Sequence, residues 1–162
     1  MDLYSMDRVR YENKKDKMLV YMRYYRMQQE SRGIKKLISK LILKRFRTRY
    51  HLEIPNGLQI GGGFYIGHPY GITINPGTVI GKNVNIHKGV TIGMENRGPR
   101  KGAPYIGDEV WIGINSVIVG AVKIGNDVLI APNSYVNRDI PDHSIVFGNP
   151  CIIKPSENAT EG

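Results

Sequence analysis

Residues 79 to 93 read Val79-Ile80-Gly81-Lys82-Asn83-Val84-Asn85-Ile86-His87-Lys88-Gly89-Val90-Thr91-Ile92-Gly93, with isoleucine at every sixth position and valine four residues after an isoleucine. A six-residue period matches neither a 3.6-residue helix nor an isolated hairpin. Working outward, the isoleucines continue upstream at Ile54, Ile60, Ile66 and Ile74, and downstream at Ile106, Ile112, Ile118, Ile124 and Ile130, with Val136 next. Gly follows at 61, 67, 81, 93, 107, 113 and 125, while Val84, Val90, Val110, Val122 and Val128 supply the second apolar position. Each hexapeptide therefore reads as a short strand and a turn. Asn83, Asn85, Asn115, Asn126 and Asn133 lie in or beside those turns, where Asn tolerates left-handed backbone. Three such strands per coil make a triangular prism whose coils stack at about 4.7 to 4.9 Å, with Ile and Val as inward ladders. The fold class is mainly β, a parallel β-helix.

The period breaks twice. Ile66 to Ile74 spans eight residues where six are due, so His68-Pro69-Tyr70-Gly71 makes a turn two residues too long. Ile92 to Ile106 spans fourteen, so residues 93–105, GMENRGPRKGAPY, leave the coil as an excursion loop. Loops held on a rigid scaffold are where chemistry is positioned.

The chain has 162 residues with a net charge of +9, enough for one core and an appendage. The charge is concentrated: residues 1–50 hold 15 Lys and Arg against 5 Asp and Glu, and residues 51–162 hold 8 against 9. The prism over residues 51–154 is thus nearly neutral, and the arm over residues 1–50 is basic. Residues 14–30 contain neither Gly nor Pro and read as one helix; Ile34, Leu37, Ile38, Leu41 and Ile42 give a second helix one apolar stripe, with Lys35, Lys36, Lys40, Lys44 and Arg45 around it. That stripe is expected to cap the open end of the prism, with contact to an anionic membrane as the alternative. Tyr21, Tyr24 and Tyr25 interleave with Arg23 and Arg26, but a nucleic-acid module would leave the broken repeat unexplained, and none is expected. Residues 155–162 are short and polar and are expected to fray. The lone Cys151 excludes an intrachain disulfide framework and is expected to be buried, and the start lacks an apolar leader, so a cytoplasmic address is expected. A transmembrane run is absent from the sequence.

The run Ile66-Gly67-His68-Pro69-Tyr70-Gly71-Ile72, with Asn85 to Gly93, Pro104-Tyr105-Ile106-Gly107 and Val146-Phe147-Gly148-Asn149-Pro150, resembles the hexapeptide-repeat acyltransferases and, within them, the serine acetyltransferase branch. The resemblance covers about residues 51–154. It implies a left-handed coil, a homotrimer with active sites between subunits, and acetyl-CoA as donor. The chemistry needs a base for the acceptor hydroxyl, and His68 in the overlong turn is the candidate. Three hexapeptides per coil plus the two-residue insertion bring Glu53 to the same corner, where a carboxylate can orient the imidazole; the family usually has Asp there. The match places Gly113, Ile114, Ala131 and Pro132 along the pantetheine arm of the donor, Arg138 and Lys154 near its phosphates, and a backbone N–H near Gly93 at the developing oxyanion. His87 is expected to point out of the prism in a structural role. His51 and His143 receive no role, and no metal site is expected.

Serine-using members carry Asp before the catalytic His and Arg-His before the loop-closing Pro. Here those positions are Gly67, and Gly102 with Ala103. Both charged clamps for a zwitterion are missing, although Arg97, Arg100 and Lys101 could replace the carboxylate clamp. With Gly67 and Tyr70 beside the base, a sugar hydroxyl of a capsule or surface polysaccharide is the expected acceptor; L-serine is the alternative.

Overall fold

The computed structural model describes residues 2–12 and 15–161. The arm holds α1 (Leu3–Arg10), α2 (Lys17–Glu30) and α3 (Gly33–Tyr50). Two helices were expected, and the extra one is explained by its cap: the Asp2 carboxylate accepts the Ser5 N–H at 2.8 Å and starts α1. Asp16 caps α2 in the same way through Met18 N–H, so that helix begins at Lys17; Lys14, where it was expected to begin, lies outside the described residues. Among the described residues no helix is long and apolar enough to cross a membrane.

The prism follows in chain order as β1 (Gln59–Ile60), β2 (Tyr65–Ile66), β3 (Thr73–Ile74), β4 (Val79–Ile80), β5 (Asn85–Ile86), β6 (Thr91–Gly93) and β7 (Tyr105–Ile106). It continues as β8 (Val110–Ile112), β9 (Val117–Val119), β10 (Lys123–Ile124), β11 (Val128–Ile130), β12 (Tyr135–Val136), β13 (Ser144–Phe147) and β14 (Ile152–Pro155). Up to β12, every third strand stacks. The first face is β1-β4-β7-β10, the second β2-β5-β8-β11-β13-β14 and the third β3-β6-β9-β12. All pairings are parallel except β13 with β14.

The register stacks Ile66, Ile86, Ile112, Ile130 and Val146 in one inward ladder, each at most 1% exposed. All the isoleucines and valines of the six-residue pattern are buried, each contributing roughly 1.5 to 3 kcal/mol by leaving water. The turns use left-handed backbone at Asn83, Asn115 and Asn133, with φ of 56°, 58° and 60°, and also at Glu109 and Asp127. Asn126 serves differently: its side chain accepts the Asp108 N–H at 2.8 Å, one rung of a stack that continues from Asn126 N–H to Asp142 at 2.7 Å.

A β-helix leaves the backbone of its first coil unpaired, and unsatisfied N–H and C=O groups there are costly. The arm satisfies them with polar side chains. Asp7 accepts the Phe64 N–H at 2.9 Å, Arg26 donates to the carbonyls of Ile60 at 2.8 Å and Gly61 at 2.7 Å, and the Tyr11 hydroxyl accepts the Ile66 N–H at 3.0 Å. The Tyr25 hydroxyl and Gln29 take the carbonyl of Leu58. The cap is thus made by α1 and α2 and not by the stripe of α3. Ile34, Leu37, Ile38 and Leu41 remain exposed, at 47 to 74%, because α3 packs on α2 through Leu43 and Phe46 instead.

At the other end, the expectation of a frayed tail is corrected. β14 folds back on β13, and the next turn docks on Asp127, whose carboxylate accepts N–H groups of Ala159 and Thr160 at 3.0 Å and the Thr160 hydroxyl at 2.9 Å. His143 Nδ1 lies 2.8 Å from the same carboxylate. Burial pushes the Asp127 carboxyl up, but the bonds from His143, Thr160 and Ala159 together outweigh it and hold it at about 2. The bond to Asp127 holds the His143 imidazolium above its ordinary range. The Asp127 contribution is therefore complete above 3.8 and lost as pH falls through 2. The His143 contribution is complete below 6.5 and lost as pH rises through its raised value. The tail should be held tightest between these limits. Exchange-corrected protection of the Ala159 and Thr160 amides should fall on either side of that window, and Asp127→Ala should abolish it throughout. Cys151 is buried, as expected.

Candidate active site

The overlong turn joins the second face to the third, and its backbone is fixed from both sides: Gly71 N–H donates to Tyr50 O at 3.0 Å and Gly89 N–H to Tyr70 O at 2.8 Å. The Tyr70 ring meets Tyr50 edge-on at 5.2 Å, which anchors the turn to the end of α3. His68 projects from it, exposed to solvent. A cleft of about 330 Å³ lies beside it, lined by Gly67, Pro69, Tyr70 and Tyr50 and by Asp16 and Lys17 of the arm.

On the same corner, in the coils below, Gly113 and Ile114 stack on Ala131, Pro132 and Asn133. Gly113 N–H donates to Ile130 O at 2.8 Å, Ala131 N–H to Val146 O at 2.8 Å, and Asn133 N–H to Ile114 O at 2.9 Å. A Cβ on Gly113 would come within 2.6 Å of Pro132 N, so only glycine fits there. These residues lie two and three coils below His68 on the same corner, with His87 in the coil between.

The other predicted residues lie elsewhere. Gly93 ends β6 at the opposite edge of the third face, and the excursion loop leaves from it as a small hairpin closed by two 2.9 Å bonds between Glu95 and Gly102. Arg97, Arg100 and Lys101 ride on that hairpin, which returns to the prism through Ala121 N–H to Arg100 O at 2.9 Å. Arg138 sits at this second corner, after β12. Within one chain this group is separated from the His68 corner by the width of the third face, on the order of 13 Å for four residues of strand. Lys154 is on the second face, its Nζ 5.5 Å from the Phe147 ring centre.

Glu53 pairs with Thr73 on the third face, one coil above, and its carboxylate accepts the Thr73 hydroxyl at 3.2 Å. Among the described residues no hydrogen bond joins it to His68. The ring next to His68 is that of His87, with centroids 5.9 Å apart, and His87 in turn lies 4.7 Å from Trp111. His87 does point out of the prism, as expected, but it belongs to the corner that bears the base. The signal was available: the strand register sets Ile66 opposite Ile86 and so Gly67 opposite His87. Burial and the neighbouring His68 lower its pKa, which favours the neutral imidazole.

Short parallel strands of six-residue period on three faces, capped by an α-helical arm and broken once by a hairpin, define the class of hexapeptide-repeat transferases. The family model described as bacterial transferase hexapeptide (six repeats) matches residues 103–138. The chain is 38% identical over 120 residues to the serine acetyltransferase of Staphylococcus epidermidis, covering 74% of this chain and 55% of that relative. It is 37% identical over 107 residues to the serine acetyltransferase of Helicobacter pylori, covering 66% of this chain and 61% of that relative. It superimposes on the soybean serine acetyltransferase apoenzyme with a TM-score of 0.77 at 24% identity, over 94% of this chain and 67% of the other. A serine acetyltransferase complex with CoA gives 0.74 at 23%, over the same shares. The coil is therefore the left-handed β-helix of these proteins. The chain is similar to the hexapeptide-repeat acyltransferases, and among them to serine acetyltransferases, and spans little more than half the length of the Staphylococcus relative.

Proposed function

We propose that the protein is an O-acetyltransferase that moves the acetyl group of acetyl-CoA to a hydroxyl acceptor by direct attack. The observation that carries the reading is His68, held by a fixed turn on the corner where Gly113, Ile114, Ala131 and Pro132 stack in the coils below. The imidazole takes the proton of the acceptor hydroxyl as its oxygen attacks the thioester carbonyl; the thiolate of CoA leaves and receives that proton from His68. That stack would take the pantetheine arm, with Arg138 and Lys154 toward the phosphates. Glu53, at the edge of the same corner, would favour the imidazolium that forms.

The separation of the His68 corner from the loop corner supports a homotrimer. One chain cannot bring Gly93, Arg97, Arg100 and Lys101 to its own His68, whereas neighbouring prisms packed around a three-fold axis could set one corner against the other. A cytoplasmic address suits the donor. The exposed stripe of α3, flanked by Lys35, Lys36, Lys40, Lys44 and Arg45, suits contact with anionic lipid.

For the acceptor, the serine acetyltransferase relatives support L-serine over the polysaccharide hydroxyl expected from the missing clamps. One observation keeps the sugar reading as second: a Cβ on Gly67, where an aspartate clamp would begin, would lie 2.5 Å from the His87 ring. Thiol release from acetyl-CoA, with L-serine run beside sugars and nucleotide sugars, separates the two. Turnover with L-serine is the expected result; silence with serine and release with a sugar would reverse the order, and silence with every acceptor would overturn the proposal. Glu53→Gln should lower kcat by about 3- to 10-fold, less than any change at His68, as expected of a charge that acts without a direct bond.

A further inference from the structure

Both ring nitrogens of His87 are shut off from water and have no hydrogen-bond partner within the chain. Buried polar atoms of this kind are uncommon and call for a cause. Packing alone does not supply one, since phenylalanine would fill the same space against Trp111 without the desolvation cost. The ring is pinned between His68 at 5.9 Å and Trp111 at 4.7 Å, and it occupies space that any side chain on Gly67 would enter.

We infer that His87 is a positioning residue for His68, accepting a hydrogen bond from one nitrogen of that imidazole so that the other is aimed at the acceptor hydroxyl, and that Gly67 is the space this second imidazole requires. The inference rests on the proposed role of His68 as base. Two imidazoles joined N–H···N, with about 2.9 Å between nitrogens, have ring centres roughly 5 Å apart. The observed 5.9 Å is closed by a small turn of the exposed His68 ring. His87 suits the task because it is held neutral and so keeps a lone pair to offer when His68 becomes charged. Other titratable groups around the pair are Lys88 on the same turn, Tyr65 with the Tyr11 ring tilted against it at 4.7 Å, and Arg10, which is engaged on Asn85 at 2.7 Å. Glu53 is held at Thr73 and does not compete for the same nitrogen in this arrangement.

The test compares His87→Phe, His87→Gln and Gly67→Ala in the full-length protein. His87→Phe should lower kcat at least tenfold, with KM for acetyl-CoA and acceptor changed less than threefold, and His87→Gln, whose amide oxygen can still accept, should keep kcat within threefold. Gly67→Ala, which displaces the ring, should behave like His87→Phe. Because an acceptor on His87 favours protonated His68, its loss should move the acid limb of kcat/KM to lower pH. The NMR titration of the His68 ring in the protein without substrates should move the same way. A His87→Phe variant with wild-type kcat and an unmoved His68 titration would overturn the inference. If the wild-type protein releases no thiol with any acceptor, the proposed function fails, while the ring titration still decides whether the two imidazoles are paired.

Discussion

Replacing His68 by alanine should lower kcat for acetyl transfer by about 10²- to 10⁴-fold, the range of a lost general base, while the protein melts at the wild-type temperature. The two halves of that expectation come from different facts. His68 is exposed, and among the described residues the only neighbour its ring loses on truncation is the His87 ring at 5.9 Å, a contact that contributes little to the fold. The turn that carries it is held by backbone bonds, Gly71 N–H to Tyr50 O and Gly89 N–H to Tyr70 O, which an alanine keeps. Activity should therefore fall without unfolding, and KM for acetyl-CoA should change little because the stack in the coils below is untouched. Steady-state kinetics beside a thermal melt reads both. A variant that retains kcat within threefold would remove His68 from the chemistry. One that loses kcat together with several degrees of melting temperature would show the turn to be structural.

The parts of this molecule that were legible in the sequence are those governed by period. Ile54 to Val136 fall on inward ladders because a hexapeptide strand and turn repeats the same geometry, and the two breaks are the places where the chain leaves that geometry. The contacts that depend on three-dimensional polar complementarity were not legible. The exposed stripe of α3 is the clearest case. Apolar spacing on a helix says that one face prefers to be covered, but the end of a β-helix presents backbone N–H and C=O groups, and those are met by Asp7, Arg26, Tyr11 and Tyr25. A charge on a basic arm reads as solvated until its partner is known, and the spacing of Arg26 among Tyr21, Tyr24 and Tyr25 does not reveal that its partner is Asp7. The tail shows the same limit: its composition is that of a frayed end, yet Asp127, thirty-two residues away from Ala159, gathers it. At the site, the register that pairs Ile66 with Ile86 would have put His87 beside the base, but reading each histidine against its own neighbours in sequence hid the contact.

Arg26 is where the largest loss of stability is expected. Its side chain is 2% exposed, pairs with Asp7 at 2.8 Å, and donates to Ile60 O and Gly61 O on the first coil. Arg26→Leu leaves Asp7 as an uncompensated buried carboxylate, which costs about 3 to 5 kcal/mol. At roughly 2 to 4 °C per kcal/mol for a chain of this size, the melting temperature should fall by about 6 to 20 °C. Asp7→Leu should do comparable damage from the other side, since it strands the guanidinium and the Phe64 N–H together. The informative experiment is the double variant, Asp7→Leu with Arg26→Met. A buried ion pair that exists only for its own sake can be replaced by apolar groups of similar volume at little cost or with a gain. This one also closes the edge of the β-helix, so removing both charges leaves the Phe64 N–H and the Ile60 and Gly61 carbonyls without partners, at about 1 to 3 kcal/mol for each group that water cannot reach. The double variant should therefore stay several degrees below wild type in a thermal melt. A double variant that melts with the wild-type protein would mean that the pair is dispensable and that the first coil is protected by packing of α2 alone.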